Sequence, residues 1–294
     1  MPLSNEDSGY GNGEVREKNM ITDTEILKKT LVSEENEAEA SACDPYGKKN
    51  DFVLHLVAIA RAMLDQYGPK IPVSTPAALV ALFLFSKIVR TCRAIRKLAI
   101  VGYGVEAEIL ARSALEGLIN LLYISKENCE ERATLYIEFE HILAKSYSDR
   151  VIRWPDMFQE FNLADKQQEI EAQFNRVKSN YPDKSFWAGK LVRQGRLREM
   201  AKEVGLQWYY DFIYWFGSNQ THANARSAME YMDVTDPAKI KYNLGPDLKH
   251  TSVALSTAAD FIIRGLDCVI RLFELPEQTI VDGLKTEYGK LWKE

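Results

Sequence analysis

Residues 106–124, EAEILARSALEGLINLLYI, carry the clearest helical pattern in this chain. Its aliphatic residues recur at three- and four-residue spacing, which is the period of an amphipathic α-helix. Between them, Glu108, Arg112, Glu116 and Asn120 stand at successive i+4 positions, so they stack along one side of that helix. We call these four residues the first ladder. A second ladder with the same spacing consists of Ser218, His222, Arg226 and Glu230.

The same helical pattern extends over most of the chain. Apolar residues at helical spacing predict helices over about 51–67, 76–101, 105–125, 130–154, 163–180, 193–205 and 251–273. Thr75 and Pro76 form a helix start, with a hydroxyl N-cap and a proline at the first helical position. Sustained strand alternation and hairpin dipeptides between apolar runs are missing from the sequence. The prediction is an all-α fold with one helical bundle-like domain.

The first 50 residues have a different composition. They are rich in Ser, Asn, Gly, Glu and Lys, and SEENEAEAS at 33–41 has almost no apolar residue. Such segments bury too little apolar surface to offset the entropy lost on ordering. We therefore expect a disordered or weakly helical acidic leader over 1–50, with one frayed helix over 22–39, and an all-helical domain over 51–294.

Composition and motifs exclude several classes of protein. The net charge of −5 argues against a surface built throughout for nucleic acid. Four separated cysteines without a CxxC pair are typical of free thiols in a reducing cytosol. The longest apolar run, residues 77–85, is too short to cross a bilayer, and the N-terminus has no signal-peptide core. With no P-loop, HExxH or EF-hand pattern, we expect a cytoplasmic protein with no membrane contact, cofactor or metal.

The first ladder has two interpretations. In the structural one, Glu108 with Arg112 and Arg112 with Glu116 are i+4 ion pairs on the wet side of the helix. Two isoleucines and a tyrosine share that arc, which favours a half-buried face, where charged groups need partners and are often functional. Each i+4 step drifts by ~40° around the axis, so four residues cannot serve one small site. We therefore expect Glu108 and Glu230 to be solvated ends.

The second ladder contains His222, and histidine is the usual proton carrier near neutral pH. A continuous helix would stack Ser218, His222 and Arg226 in sequence. Alternatively, Ser218 or Asn219 begins a new helix as its N-cap. The sequence signatures of a serine hydrolase are missing. The candidate catalytic residues therefore reduce to Arg112, Glu116, Ser218 and His222.

Three further patterns keep two interpretations each. The block WYYDFIYWF at 208–216 is expected to be core, and a base-stacking platform is the alternative. One flank of the second predicted helix is a solvated face or a nucleic-acid-binding surface; its cations are Arg90, Arg93, Arg96 and Lys97, preceded by Lys87. Glu138-x-x-His141 is half of a di-metal carboxylate motif, for which Asp247-x-x-His250 is the only near match. A di-metal site is therefore a second alternative.

The segments ARSALEGLINLLYI at 111–124 and WYYDFIYWFGSNQTHANA at 208–225 resemble an uncharacterised bacterial all-helical family, a domain of unknown function. That family joins an Arg-x-x-x-Glu helix to a later Ser-x-x-x-His segment. The resemblance implies no activity and points to the same four residues. More distantly, the chain resembles helical nucleases of the HEPN type from toxin and antiphage systems. Their arginine precedes the histidine by a few residues, a pattern that is not matched here.

These observations give one leading hypothesis and one rival. The leading hypothesis is a bacterial, cytoplasmic, defence or toxin-like protein that acts as a metal-independent ribonuclease through a composite site of Arg112, Glu116 and His222. The rival is a non-enzymatic interaction protein whose ladders are structural networks. The expected partner is accordingly RNA or another protein, and the sequence leaves the oligomeric state open.

Overall fold

The computed structural model describes residues 13–154, 164–192, 196–236 and 239–293. The longer helices are α1 (Gly13–Tyr67), α2 (Pro76–Ile100), α3 (Gly104–Lys126), α4 (Cys129–Arg153), α5 (Ala164–Val177), α10 (Thr251–Leu272) and α11 (Gln278–Leu291). The shorter ones are α6 (Leu197–Glu203), α7 (Gln207–Tyr209), a π-helical turn (Tyr210–Tyr214), α8 (Trp215–Thr221) and α9 (Ala228–Tyr231). One antiparallel pair, β1 (Met232–Asp233) with β2 (Lys241–Tyr242), is the only sheet in the described residues. The all-α prediction is confirmed.

Helix α2 begins and ends as its sequence predicts. At its start, Thr75 Oγ1 accepts a hydrogen bond from the Ala78 amide at 3.2 Å, and Pro76 takes the first helical position. At its end, Gly102 has a φ of +88°, and a Cβ there would lie 2.4 Å from the Cβ of Pro246. Only glycine allows both the left-handed turn and this close approach. The turn returns α3 along α2.

The core forms where α2, α3 and α10 pack together. Phe85, Leu118 and Phe261 are fully buried there, and burial of a side chain of this size contributes about 1.5–3 kcal/mol. Two glycines bring the helices close, because a Cβ on Gly117 would lie 3.3 Å from Ile88 and one on Gly265 would lie 3.0 Å from Phe85. Helix α1 packs on α10 and α2, and α4 packs on α2 and α5. This core fixes the face that α3 presents to the rest of the chain.

Helix α1 runs through residue 51, the expected boundary between leader and domain. Its acidic portion contacts the bundle: Tyr103 donates to Glu35 at 2.8 Å, and Lys97 pairs with Glu39 at 3.0 Å. Residues 1–12 lie outside the described residues, and a leader that is separate from the domain stays a prediction. None of the described helices combines the length and the apolar content that spanning a bilayer requires.

The second ladder does not lie on one helix. Helix α8 ends at Thr221, and Ala223 follows with a φ of +44°. A new 3-10 turn then starts after Asn224, whose side chain accepts a hydrogen bond from the Arg226 amide at 3.1 Å. The predicted continuous helix is therefore wrong. The alternative is also wrong, because α8 starts at Trp215, before either of the N-caps suggested by the sequence.

Candidate functional site

Helix α3 packs against α8 at Glu108 and Arg112, and Gly217 sets the spacing of the two helices there. A Cβ at Gly217 would lie 2.9 Å from the carbonyl oxygen of Glu108 and 3.0 Å from the Cβ of Arg112. A larger residue would push α8 away from α3, since real Cβ atoms do not approach backbone this closely. The glycine in the sequence Phe-Gly-Ser therefore allows the close approach of α8 and α3 at which Tyr214 of the π-helical turn reaches Arg112.

Arg112 and Glu116 lie together, as their spacing predicts. Arg112 Nε is 3.5 Å from Glu116 Oε1. Arg112 Nη2 donates a hydrogen bond to the Tyr214 hydroxyl at 3.2 Å, and its Cζ lies 4.6 Å from the centre of the Tyr214 ring. Tyr214 in turn stacks on Tyr210 with ring centres 4.5 Å apart. The guanidinium is thus held by a carboxylate and an aromatic face at once.

Beside this group a cleft of about 860 Å³ opens between α2, α3, α4 and the π-helical turn. Helix α3 contributes the last two residues of the first ladder, Glu116 and Asn120, to the wall of the cleft. The remaining lining residues are Leu79, Val80, Phe83, Tyr136, Ile137, Phe139, Glu140, Leu143, Ser185, Phe186, Trp187, Arg196, Leu197, Tyr210 and Tyr214. The cleft is large enough for a small organic ligand.

Several polar groups of this cleft are held in place by neighbouring side chains. Trp187 Nε1 donates to Asn120 Oδ1 at 2.9 Å, and the Trp187 ring meets the Tyr136 ring edge-on at 5.3 Å. Arg196 pairs with Asp183 at 2.5 Å. Burial raises the pKa of Tyr136, and burial followed by the neighbouring Tyr214 raises the pKa of Tyr210. These phenols are therefore neutral near neutral pH.

At the other end of the ladder, Glu108 belongs to a different cluster. His250 Nδ1 lies 3.0 Å from Glu108 Oε1, and His250 Nε2 lies 3.2 Å from Glu230 Oε2. Lys249 Nζ adds a second cation at 3.4 Å from the same Glu230 oxygen. The hydrogen bond to Glu108 is the largest cause of a raised pKa of His250; burial opposes the rise, and Glu230 supports it. We call the arrangement of Glu108, His250 and Glu230 the histidine bridge.

The expectation that Glu108 and Glu230 are solvated ends is wrong. Their side chains are only 8% and 18% exposed, since each binds His250. Spacing could not show this, because Glu108 and His250 are 142 positions apart. The only local indication of this cluster in the sequence is His250, which there forms part of an incomplete metal motif.

His222 is not part of either group. It caps the C-terminus of α8 through its amide, which donates to the Ser218 carbonyl oxygen at 3.1 Å. Its side chain is exposed and makes no hydrogen bond or ion pair within the described chain. Ser218 is half-buried beside Gly217. The structure therefore brings Arg112 and Glu116 together and joins neither Ser218 nor His222 to them.

The predicted cationic surface on α2 is partly covered by α1. Lys97 pairs with Glu39, and Arg96 donates to Asn50 Oδ1 at 2.7 Å. Burial, and then the charge of Arg93, lower the pKa of Arg96. Lys87, Arg90 and Arg93 remain exposed and have no ion-pair partner among the residues that the structure describes. Binding of nucleic acid at this surface stays a prediction.

The aromatic block 208–216 has two faces, and core packing describes only one of them. On the inner face, Tyr209 donates to Asp260 Oδ2 at 2.7 Å, and Tyr210 and Tyr214 line the cleft. On the outer face, Trp208, Phe212 and Trp215 are 59%, 58% and 49% exposed. The expectation that the block is core is therefore wrong for its outer face.

The half-motif Glu138-x-x-His141 has no partner motif nearby. Glu138 pairs instead with Arg176 at 2.7 Å, while His250 is taken up by the histidine bridge. No group of three or more His, Cys, Asp or Glu residues in the described chain could hold a metal ion. Glu138 and His250 thus serve as ion-pair partners in two separate clusters, and Asp247 accepts a hydrogen bond from the Lys249 amide.

Residues 78–240 match the model of a family described as "Family of unknown function (DUF5677)". This stretch includes α3, α4, the aromatic block and all residues of the cleft. It ends before His250, so the histidine bridge has only two of its three members inside it. No curated protein and no solved structure matches the chain.

Proposed function

The chain belongs to this family of unknown function, and we propose that it is a binding protein with a small-molecule site in the cleft beside Arg112. The cleft lies wholly inside the family region. On this proposal, the upper end of the first ladder, at Glu108, is structural, as the non-enzymatic hypothesis expects. The lower end, Glu116 and Asn120, contacts the ligand.

One observation supports this proposal above the others. The same cleft combines a volume of about 860 Å³ with a mostly aromatic and aliphatic wall and a few convergent polar side chains. That combination is typical of small-molecule sites. Two of the polar side chains, Asn120 and Arg196, are already fixed by Trp187 and Asp183, so these two need little ordering on binding.

A substitution that fills the cleft tests the proposal. Leu143 is 50% exposed on the rim, so Leu143→Trp should fold and occupy part of the cleft. Met229→Trp is a matched control at a 76% exposed position away from the cleft. A fragment library is screened by ligand-observed NMR against the wild type and both variants. We expect fragments that bind the wild type and Met229→Trp and are lost with Leu143→Trp. Hits that bind Leu143→Trp unchanged, or a screen without hits, contradict the proposal.

A second candidate function is the defence or toxin-like, metal-independent ribonuclease of a bacterial cytoplasm. The observation in its favour is that Arg112 and Glu116 pair at the edge of an open cleft. In this mechanism Arg112 stabilises the phosphorane charge, Glu116 orients the guanidinium, and His222 exchanges the proton. His222 would have to approach Arg112, which it does not contact in this structure.

The ribonuclease candidate is tested by RNA cleavage with purified protein. Arg112→Ala and His222→Ala should each abolish cleavage, while His55→Ala, at another exposed histidine, should leave the rate unchanged. Cleavage that survives in His222→Ala, with the melting temperature of the wild type, rules out this mechanism. Wild-type protein that cleaves no RNA removes the candidate altogether.

A further inference from the structure

The charged side chains around the cleft leave one negative charge in excess. Glu116, Glu140 and Arg196 line the wall. Glu116 is paired with Arg112, and Arg196 is paired with Asp183. With these partners included, three carboxylates stand against two guanidiniums.

The carboxylate without a partner is Glu140 on α4. It forms no hydrogen bond and no ion pair with any described residue, and it lies at the rim of the cleft. Its neighbour on the same helix, Glu138, is by contrast taken up by Arg176 at 2.7 Å. The unpaired carboxylate of Glu140 therefore attracts a cationic ligand that enters the cleft and repels an anionic one.

The aromatic wall favours the same sign of charge. The face of an aromatic ring is electronegative and attracts cations within about 6 Å of its centre. The cleft is lined by the rings of Phe83, Tyr136, Phe139, Phe186, Trp187, Tyr210 and Tyr214. The protein already uses one of them in this way, because Arg112 lies over Tyr214 at 4.6 Å. The rings also provide a flat apolar surface for the body of a ligand.

Among the described residues that line the cleft, Asn120 has the one side-chain amide, and part of it is free for a ligand. Asn120 Oδ1 is occupied by Trp187 Nε1 at 2.9 Å, whereas Asn120 Nδ2 has no acceptor in the described residues. Both Arg196 and Arg112 already hold carboxylates. The positive charges beside the cleft are thus already balanced, and the donors that remain for an anion are mainly neutral amide and phenol groups, which offset the desolvation of a charge less well than a free cation does.

We infer that the cleft is a site for an organic cation, an ammonium or amidinium group on a flat apolar body, with the positive charge beside Glu140. This inference rests on the proposed ligand-binding function and names the ligand class. The cation would lie at the rim, between Glu140 and the aromatic rings. The apolar body would pack against Leu79, Val80 and Trp187.

The experiment uses three probes that share one aromatic body and differ in charge. They are naphthylmethyl-trimethylammonium, naphthalenemethanol and naphthalenesulfonate, and their dissociation constants are measured by calorimetry with the full-length protein. We expect the cation to bind about fivefold tighter than the neutral probe, as one cation–π contact and one exposed carboxylate would give. The anion should bind weakest.

Matched variants assign the preference to Glu140. Glu140→Gln should remove most of the advantage of the cation, and Glu131→Gln should keep it. Both residues are exposed on α4, and each substitution removes one negative charge. Only Glu140 lines the cleft. Melting temperatures confirm that both variants fold.

The outcomes separate the ligand class from the proposed function. Probes that bind in a manner abolished by Leu143→Trp, but without preference for the cation, overturn the inference and leave the binding site in place. A preference that persists in Glu140→Gln overturns it as well. Three probes that all fail to bind, or that bind Leu143→Trp unchanged, count against both.

Discussion

Glu108 and Glu116 are the same residue type, two turns apart on one side of α3, and their surroundings have little in common. The Glu108 side chain is 8% exposed and lies 3.0 Å from His250. The Glu116 side chain is 40% exposed, 3.5 Å from Arg112, at the wall of an open cleft. An i+4 ladder therefore defines one side of a helix and not a site. What each position does is decided by the element that packs against it.

The largest expected effect comes from breaking the buried end of the ladder. Glu108→Ala should lower the free energy of unfolding by about 3 kcal/mol, because it removes the more buried of the two carboxylates that bind His250 and leaves only Glu230. Urea denaturation followed by circular dichroism measures it. Glu108→Gln, which keeps the size and one acceptor, should cost less than the alanine variant. A loss for Glu108→Ala no larger than that for Glu116→Ala would remove the distinction between the two ends.

Next comes Gly217, which lets α8 pack against α3 at Glu108 and Arg112. Gly217→Ala should lower the free energy of unfolding by about 2 kcal/mol, because its Cβ has no room beside Glu108 and Arg112. Gly289→Ala is the control, since a Cβ there meets open space and alanine favours the helix. Thermal denaturation of both variants gives the comparison. If Gly217→Ala is as stable as Gly289→Ala, α8 does not pack this closely.

The histidine bridge should also depend on pH, in a direction that its pKa shift sets. The pKa of His250 is raised in the folded state, chiefly by its hydrogen bond to Glu108. Its stabilising contribution is therefore complete below about pH 6.5, the ordinary histidine value, and is lost as the pH rises through the raised folded value. His250→Gln should cost about 2 kcal/mol at low pH, since charge-assisted hydrogen bonds are lost.

Denaturation of wild type and His250→Gln between about pH 5.5 and 8.5 checks this dependence. The difference between them should narrow as the pH rises. His222→Gln is the control, because its exposed side chain has no carboxylate partner in the described structure. A gap for His250→Gln that widens with pH would mean that the bridge is held by neutral histidine.

The smallest effect belongs to the open end of the ladder. Glu116→Ala should change the free energy of unfolding by less than about 1 kcal/mol, because a long, partly exposed ion pair contributes little. The same denaturation assay applies. A loss above about 2 kcal/mol would place Glu116 in the same class as Glu108 and would argue that the cleft wall is structural.

The sequence predicts what is local. Thr75 and Pro76, the Gly102 turn and the apolar spacing of α3 each specify structure through residues within a few positions, and the helices follow them. The Arg112–Glu116 pair is likewise a matter of one helical turn.

What the sequence does not contain is the identity of distant neighbours. The partner of Glu108 lies 142 positions away, and nothing in either local pattern links the two. The break after Thr221 depends on a left-handed Ala223, a residue without the usual glycine signal. The sequence also predicts burial for Trp208, Phe212 and Trp215, which are exposed in the structure. The prediction fails because a high density of aromatic rings does not show which side of the segment packs against the core.

The histidine bridge also has a consequence for the order in which the chain folds. Helices α2 and α3 are consecutive and antiparallel, so their contacts close short loops and can form early. The Glu108–His250 contact closes a loop of 142 residues. The entropic cost of closure grows only with the logarithm of loop length, by about 0.6 kcal/mol for each doubling. A long separation in sequence thus hardly weakens this contact once it has formed, and we expect it to form together with the packing of α10 on α2 and α3, which closes loops of similar length.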